Sequence, residues 1–451
     1  MSKIVSINPF TEEVIKEIPE TPIEQIPEMV KKARETLPTW SEMKLENRIE
    51  IMKKLVLLLE QNKPLLAKTI HEEVGKPFRK AEIEVEDSIK ETKFFLENVP
   101  IALKEAVLKE KDVLCFEPIG VVTAITPWNF PLEMLVVSVI PALLAGNTVL
   151  LKPSEHSTLV AIEFFNLLEQ LEGLPKNTIQ LIVGGKETGK ALVEQDIDLV
   201  YFTGSLRAGK QIMRDSAEKL HKIILELGGK DPSIVLKDAD LETTAKGIVK
   251  GATSNTGQVC CSIERVYIQK EIFESLTQKI VEEAKKVSID HGDNKNADIG
   301  PLIRAFQLKT VQEHIKDAEQ KGAHILTGGK RLEGKGYFFP PTVITNITEE
   351  MLVLKEETFG PVIPLIPFET IEEVIQKAND SKYGLTASIW TKDQKKAREI
   401  ARKIVTGTVV INDWGGYKMG CPWGGAKQSG IGRVNHIEGI RALTNQKHLA
   451  L

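Results

Sequence analysis

The chain has 451 residues, enough at about 100–200 residues per domain for two or three domains. Apolar residues make up 42% and charged residues 27%; 59 Lys and Arg against 63 Asp and Glu leave a formal net charge of -4. No block of like charge stands out, which excludes the electrostatic footprint of a nucleic-acid binder, and the longest apolar stretch, from Leu135 to Ala145, is broken by Ser138 and Pro141 and falls far short of the roughly 18 residues a membrane span needs.

The start, Met1-Ser-Lys-Ile-Val, lacks the charged-then-apolar order of a signal peptide. The four cysteines (Cys115, Cys260, Cys261, Cys421) form no CxxC pair, and the eight His are scattered. Neither a disulfide framework nor a metal site is expected, and a reducing cytoplasm is the expected compartment.

In chain order, the first hundred residues read as helices. Ile23, Ile26, Val30, Ala33 and Leu37 form one apolar stripe, a second run covers about 46–61, and a third ends at Gly75 with Pro77 beyond, a helix-stop signal. From residue 120 the period changes. Short apolar runs at 120–126, 148–151, 178–182, 199–202 and 223–225 have strand character, with helical stretches between them at about 132–145, 157–171, 187–195 and 206–219. This alternation predicts βαβ units and a parallel sheet, with ligands at the carboxyl ends of the strands. A second alternating region over about 233–410 predicts a second α/β domain. The last residues, 444–451, read as a short strand in need of a pairing partner.

Four local features carry chemistry. Thr126-Pro-Trp-Asn-Phe-Pro131 follows a strand and opens a helix; two prolines bracket Asn129, whose amide can donate to a developing oxyanion, although the same pattern suits a rigid turn. Ser254-Asn-Thr-Gly-Gln-Val-Cys-Cys261 is a polar loop in which a cysteine can serve as nucleophile or as a small buried hydrophobe, and composition does not choose between Cys260 and Cys261. In Leu225-Glu-Leu-Gly-Gly-Lys-Asp-Pro232 a lone carboxylate, Glu226, stands between leucines, where burial raises its pKa toward that of a general base; an ordinary strand-end Glu looks the same. Finally, Val149-Leu-Leu-Lys-Pro-Ser-Glu155 and Val200-Tyr-Phe-Thr-Gly-Ser205 each follow a strand where a dinucleotide would lie. Lys152 and Glu155 suit ribose hydroxyls and Ser205 a phosphate at a helix start. Gly184, Gly185 and Gly189 resemble a fragment of the dinucleotide fingerprint without its full spacing.

Together these motifs resemble the aldehyde dehydrogenase superfamily, from Ile7-Asn-Pro to Gly424-Gly-Ala-Lys-Gln-Ser-Gly-Ile-Gly-Arg433. The resemblance implies that Cys260, two residues after Gln258 and five before Arg265, is the nucleophile. It likewise implies Glu226, thirty-four residues earlier, as the water-activating base and Asn129 as the oxyanion donor. It implies cofactor contacts from Thr126, Pro127, Trp128, Lys152, Ser154, Glu155, Gly185, Gly189, Phe202, Thr203, Gly204, Ser205 and Leu227, with Glu357 and Phe359 on the nicotinamide ribose. The cofactor would be NAD, with NADP open.

The implied architecture is α/β. A Rossmann-like dinucleotide-binding domain would come from 1–104 and 119–228, and an α/β catalytic domain from 229–430. A small β oligomerisation element would come from 105–118 and 431–451, giving a homodimer or homotetramer. The implied reaction oxidises an aldehyde to a carboxylic acid through a thiohemiacetal and a thioester, with water as final acceptor. Glu226 argues against relatives that pass the thioester to coenzyme A or reduce acyl phosphates, and the Cys–Glu–Asn set argues against an inactive binding or structural member of the fold.

The substrate pocket implied by the resemblance takes in Phe130, Glu133, Met134, Val137, Cys261, Trp414, Tyr417 and Trp423. Val137 stands where members that oxidise semialdehydes such as succinate semialdehyde place an Arg, so a neutral aliphatic or aromatic aldehyde is expected. Glu133 with the aromatics allows a cationic one (betaine aldehyde or an aminoaldehyde) as the alternative; Glu133 at a helix start can equally serve only to complement the helix dipole.

Overall fold

The structure is a computed structural model and describes residues 2–109 and 111–450; residues 1, 110 and 451, which fall within the segments expected above, lie outside them. Two large twisted sheets dominate. In the first, the spatial order is Ile179–Leu181, Thr148–Lys152, Val121–Ile125, Leu199–Thr203, Lys222–Glu226, all parallel, with Gly430–Ile431 added antiparallel at the edge. The chain enters at the centre and winds outward both ways, so the order reverses beside Val121–Ile125, where a crevice opens at the carboxyl ends of the strands. Val121–Ile125 and Thr148–Lys152 are buried at every residue. Helices cover both faces, which is why these strands are unbroken apolar runs rather than alternating ones.

The second sheet runs His324–Thr327, Thr342–Thr345, Val362–Phe368, Ile263–Gln269, Asp231–Val235, Thr386–Trp390, Thr408–Ile411, parallel except for the first strand. The two sheets meet where Glu226 ends one and Asp231 begins the other, five residues apart in sequence. A third, antiparallel sheet joins Ala106–Lys109, Asp112–Pro118 and the terminal strand Thr444–Leu449, which thus finds its partner within its own chain.

The N-terminal reading needs one correction. Residues 3–19 form a hairpin, Lys3–Ile7 against Val14–Pro19; a 3-10 turn at Ile23–Gln25 follows, and the α-helices start only at Ile26. In Lys3–Ile7 burial alternates, with Ile4 and Ser6 inward, a period of two too short to register beside the helical stripe that follows. The expected stop holds: the helix Lys63–Val74 ends on Gly75, whose φ of 86° is the left-handed conformation that glycine supplies.

Candidate active site

Asn129 sits in the turn between the central strand Val121–Ile125 and the helix Pro131–Leu144. Its Nδ2 donates to the carbonyl of Gln258 at 3.0 Å, and Asn255 Nδ2 donates to the carbonyls of Asn129 (3.0 Å) and Gln258 (3.2 Å). The Asn turn is therefore tied directly to the cysteine loop, leaving a second amide N–H of Asn129. The helix start is capped from afar: Glu84 accepts from the N–H groups of Leu132 (3.0 Å) and Glu133 (3.4 Å) and pairs with the buried Lys76 at 2.5 Å. Lys76 Nζ also lies 3.6 Å from the Phe130 ring centroid. Glu84 thus does what Glu133 was considered for, and Glu133 lines the cavity.

The cysteine loop follows the helix Leu241–Thr253. Asn255, Thr256 and Gly257 all take positive φ (48°, 60° and 74°), and a Cβ on Gly257 would lie 2.2 Å from the carbonyl oxygen of Gly360. Only glycine allows that approach. Cys260 is half-buried and Cys261 buried. The Cys260 thiol is pushed well above its ordinary pKa, first by the neighbouring Cys261 side chain, then by burial, then by the charges of Cys261, Asp231 and Glu357. The thiolate, not the thiol, is the nucleophile, and these surroundings disfavour it in the free protein.

Glu226 ends the strand Lys222–Glu226, 5% exposed, and neither carboxylate oxygen has a hydrogen-bond partner. Burial pushes its pKa well up, opposed by Arg433. Two residues on, a Cβ on Gly228 would lie 2.3 Å from Glu357 Oε2, and Gly229 N–H donates to Glu357 Oε1 at 3.0 Å. Burial, then the charge of Glu264, holds Glu357 up to about 8.

Cys260, Glu226 and Asn129 line one cavity of about 640 Å³. With them are Pro127, Trp128, Phe130, Glu133, Met134, Val137, Thr203, Gly204, Ser205, Leu227, Cys261, Glu357, Phe359, Trp414, Tyr417 and Trp423. Tyr417 and Trp423 meet edge-on at 5.4 Å, as do Trp128 and Phe359. Thr126, Lys152, Ser154, Glu155, Gly185, Gly189 and Phe202 are not part of this cavity; Gly189 lies in the helix Lys186–Val193, and the others lie at the carboxyl ends of neighbouring strands of the first sheet and in the turns that follow. Lys152 is 4% exposed and donates only to its neighbour's carbonyl, Pro153 O, at 3.0 Å, without an ion pair among the described residues. Ser205 caps the helix Leu206–Ala217, accepting from Ala208 N–H at 3.3 Å. A buried ammonium without an ion pair, packed close to Gly189 of the helix Lys186–Val193 and near an open Gly185 at that helix's start, fits a polyhydroxylated, phosphate-bearing cofactor.

Every charged side chain lining the cavity is acidic: Asp87, Glu133, Glu226 and Glu357. Glu133 is held up to about 8 by burial, then by Glu84. Behind it, Glu91 accepts from Tyr417 Oη, keeps a second oxygen without a partner, and is raised well above the carboxylate range by burial, then by Glu133. Asp87, Glu91, Phe306 and Gln307 escaped the sequence reading because they lie on helices far from every motif and carry no local signal.

The aldehyde dehydrogenase family model matches residues 1–449. Betaine aldehyde dehydrogenase of Bacillus subtilis is 35% identical, covering 98% of this chain and 93% of that protein; lactaldehyde dehydrogenase of Escherichia coli is 36% identical, covering 96% and 92%. Among solved structures, betaine aldehyde dehydrogenase of Staphylococcus aureus in complex with NAD+ superposes with a TM-score of 0.95 at 35% identity, covering 99% of this chain and 91% of that one. Lactaldehyde dehydrogenase of Escherichia coli does so at 0.96 and 34%, covering 100% and 96%. With the fold, the cavity and these relatives in agreement, the chain belongs to the aldehyde dehydrogenase family, oxidoreductases that act on aldehydes.

Proposed function

We propose that this enzyme oxidises an aldehyde to its carboxylic acid with Cys260 as nucleophile, Glu226 as base, Asn129 as oxyanion donor, NAD as hydride acceptor and water as final acceptor. The observation that carries the reading is the buried, partnerless carboxylate of Glu226 in the same cavity as Cys260. Cys260, as thiolate, attacks the carbonyl carbon. The new alkoxide is held by the free Asn129 amide N–H and the Cys260 backbone N–H. Collapse of this thiohemiacetal expels hydride and leaves a thioester. Glu226 then removes a proton from water; hydroxide adds to the thioester and the acid departs, returning the thiolate.

Nicotinamide, when bound, accepts the hydride. Lys152 and Glu155 would hold the adenosine ribose, Ser205 and its helix start a phosphate, and Glu357 and Phe359 the nicotinamide ribose. Glu226 favours hydrolysis over transfer to coenzyme A. The test is Glu226→Gln, which should give one burst of NADH per active site and then very slow turnover; an unchanged steady-state rate removes Glu226 from the mechanism.

The all-acidic lining, with uncharged Val137, favours a substrate without an anionic group. A desolvated carboxylate there would lack any partner. We read a neutral aliphatic or aromatic aldehyde as the substrate. Asp87 and Glu133 beside Trp414, Tyr417 and Trp423 support a cationic aldehyde as the second reading. We further infer a homo-oligomer: Val107 (73% exposed) and Leu108 lie on the strand Ala106–Lys109, which pairs on one side only among the described residues. Four free cysteines suit the cytoplasm, and no described helix is long and apolar enough to cross a membrane.

A further inference from the structure

Beneath the loop that carries Glu357 and Phe359 lies a buried ion pair that none of the chemistry above uses. Glu264, 3% exposed, accepts from the backbone N–H groups of Thr358 at 2.8 Å and Phe359 at 2.9 Å. Lys230, 1% exposed, donates to the same carboxylate and to Thr358 Oγ1 at 3.1 Å. From the other side Gln307 Nε2 donates to the carbonyls of Thr358 and Phe359, both at 2.9 Å. Two successive residues thus have both N–H and C=O groups held by side chains from distant segments.

The loop needs such holding. Phe359 has φ of 50°, a left-handed conformation that a bulky L residue adopts only where its surroundings impose it. A buried ion pair is poor evidence for stability, since apolar residues of similar volume often stabilise as well. What apolar residues cannot do is receive two adjacent backbone N–H groups. Position in the chain adds to this: Lys230 follows Glu226 by four residues and Glu264 follows Cys260 by four. The pair ties the segments carrying base and nucleophile to the loop that faces them.

We propose that Glu264 and Lys230 are positioning residues that hold residues 357–359 in the conformation presenting Glu357 and Phe359 to the nicotinamide half of the cofactor. This rests on the cofactor reading above. The decisive variant is the double Lys230→Met/Glu264→Leu, which removes both charges together and leaves neither buried alone. Calorimetric affinities for NAD and for ADP, which lacks the nicotinamide and its ribose, are compared with those of the parent and of Glu357→Gln. ADP affinity should stay within about twofold, while the NAD-to-ADP affinity ratio falls about tenfold and the NADH burst slows at saturating NAD. Alkylation of Cys260 without cofactor should proceed at the parental rate.

A folded double variant with an unchanged ratio and burst, while Glu357→Gln lowers both, overturns the positioning role and leaves the cofactor reading standing. No change in either variant overturns both. Should the double variant fail to fold, Glu264→Gln decides on the same ratio, with Glu264→Asp expected to restore part of it.

Discussion

A carboxyl buried without a hydrogen-bond partner keeps its proton well past the ordinary Glu value of about 4.3, and this sets the pH behaviour expected of Glu226. Only the ionised form can take a proton from water. As pH falls through the raised pKa the base is lost, so kcat should fall on the acid side at a higher pH than an exposed Glu would give. Glu226→Gln should abolish that limb of the kcat profile. Cys260 adds a limb of the same sign, since its raised thiol becomes thiolate only as pH rises.

Because the neighbouring Cys261 side chain is the largest cause of that elevation, Cys261→Ala should keep most activity and move the kcat/KM limb to lower pH. Cys260→Ala should abolish turnover; the reverse pattern would reassign the nucleophile. For the cofactor, Glu155 opposes a 2′-phosphate. At ~4 Å and an effective dielectric near 20 the repulsion is about 4 kcal/mol at most, and the half-exposure of Glu155 screens it further. A kcat/KM favouring NAD is expected, and one favouring NADP would refute the role of Glu155.

At the scale of elements, the helix Pro131–Leu144 depends on residues from the helix Phe78–Ala102 and the turn before it. Glu84 satisfies two of its first N–H groups, and Lys76 neutralises Glu84 while packing on Phe130. Lys76→Met should leave a buried carboxylate uncompensated and destabilise by roughly 3–5 kcal/mol in urea unfolding. Lys76→Met/Glu84→Leu should cost less than Lys76→Met alone, because no charge is stranded. Equal losses would mean that packing on Phe130, not charge, is what matters. The elements themselves were largely legible: unbroken apolar runs marked the strands of the first sheet, and Gly75 marked a helix end. The hairpin Lys3–Ile7/Val14–Pro19 was not, because two short strands with mostly exposed side chains leave little pattern to read.

For the whole molecule, the reaction cavity is shared by segments from residue 87 to residue 434, and its charge is a property of their assembly. A substrate panel tests it. Propanal or benzaldehyde should outpace succinate semialdehyde, whose carboxylate would meet only acids. Succinate semialdehyde as best substrate would overturn the electrostatic reading, and betaine aldehyde or an aminoaldehyde outpacing both would favour the cationic one. Val107→Asp should shift the elution of the enzyme toward a smaller species if the exposed strand Ala106–Lys109 forms the subunit contact.

Local order alone determined a good deal of this protein. The Gln258–Cys260 spacing, the Glu226-Leu-Gly-Gly run and the proline-bracketed Asn129 are contiguous motifs, and the alternation of apolar runs with helical stretches is a periodicity; both can be read from a string. Tertiary structure alone decided that Glu226 has no partner, that Glu84 rather than Glu133 caps the oxyanion helix, and that Glu264 with Lys230 clasps a loop some ninety-four to one hundred twenty-eight residues further on. Burial, pKa and charge complementarity are sums over neighbours in space, and those neighbours come from remote segments whose side chains carry no mark of the meeting.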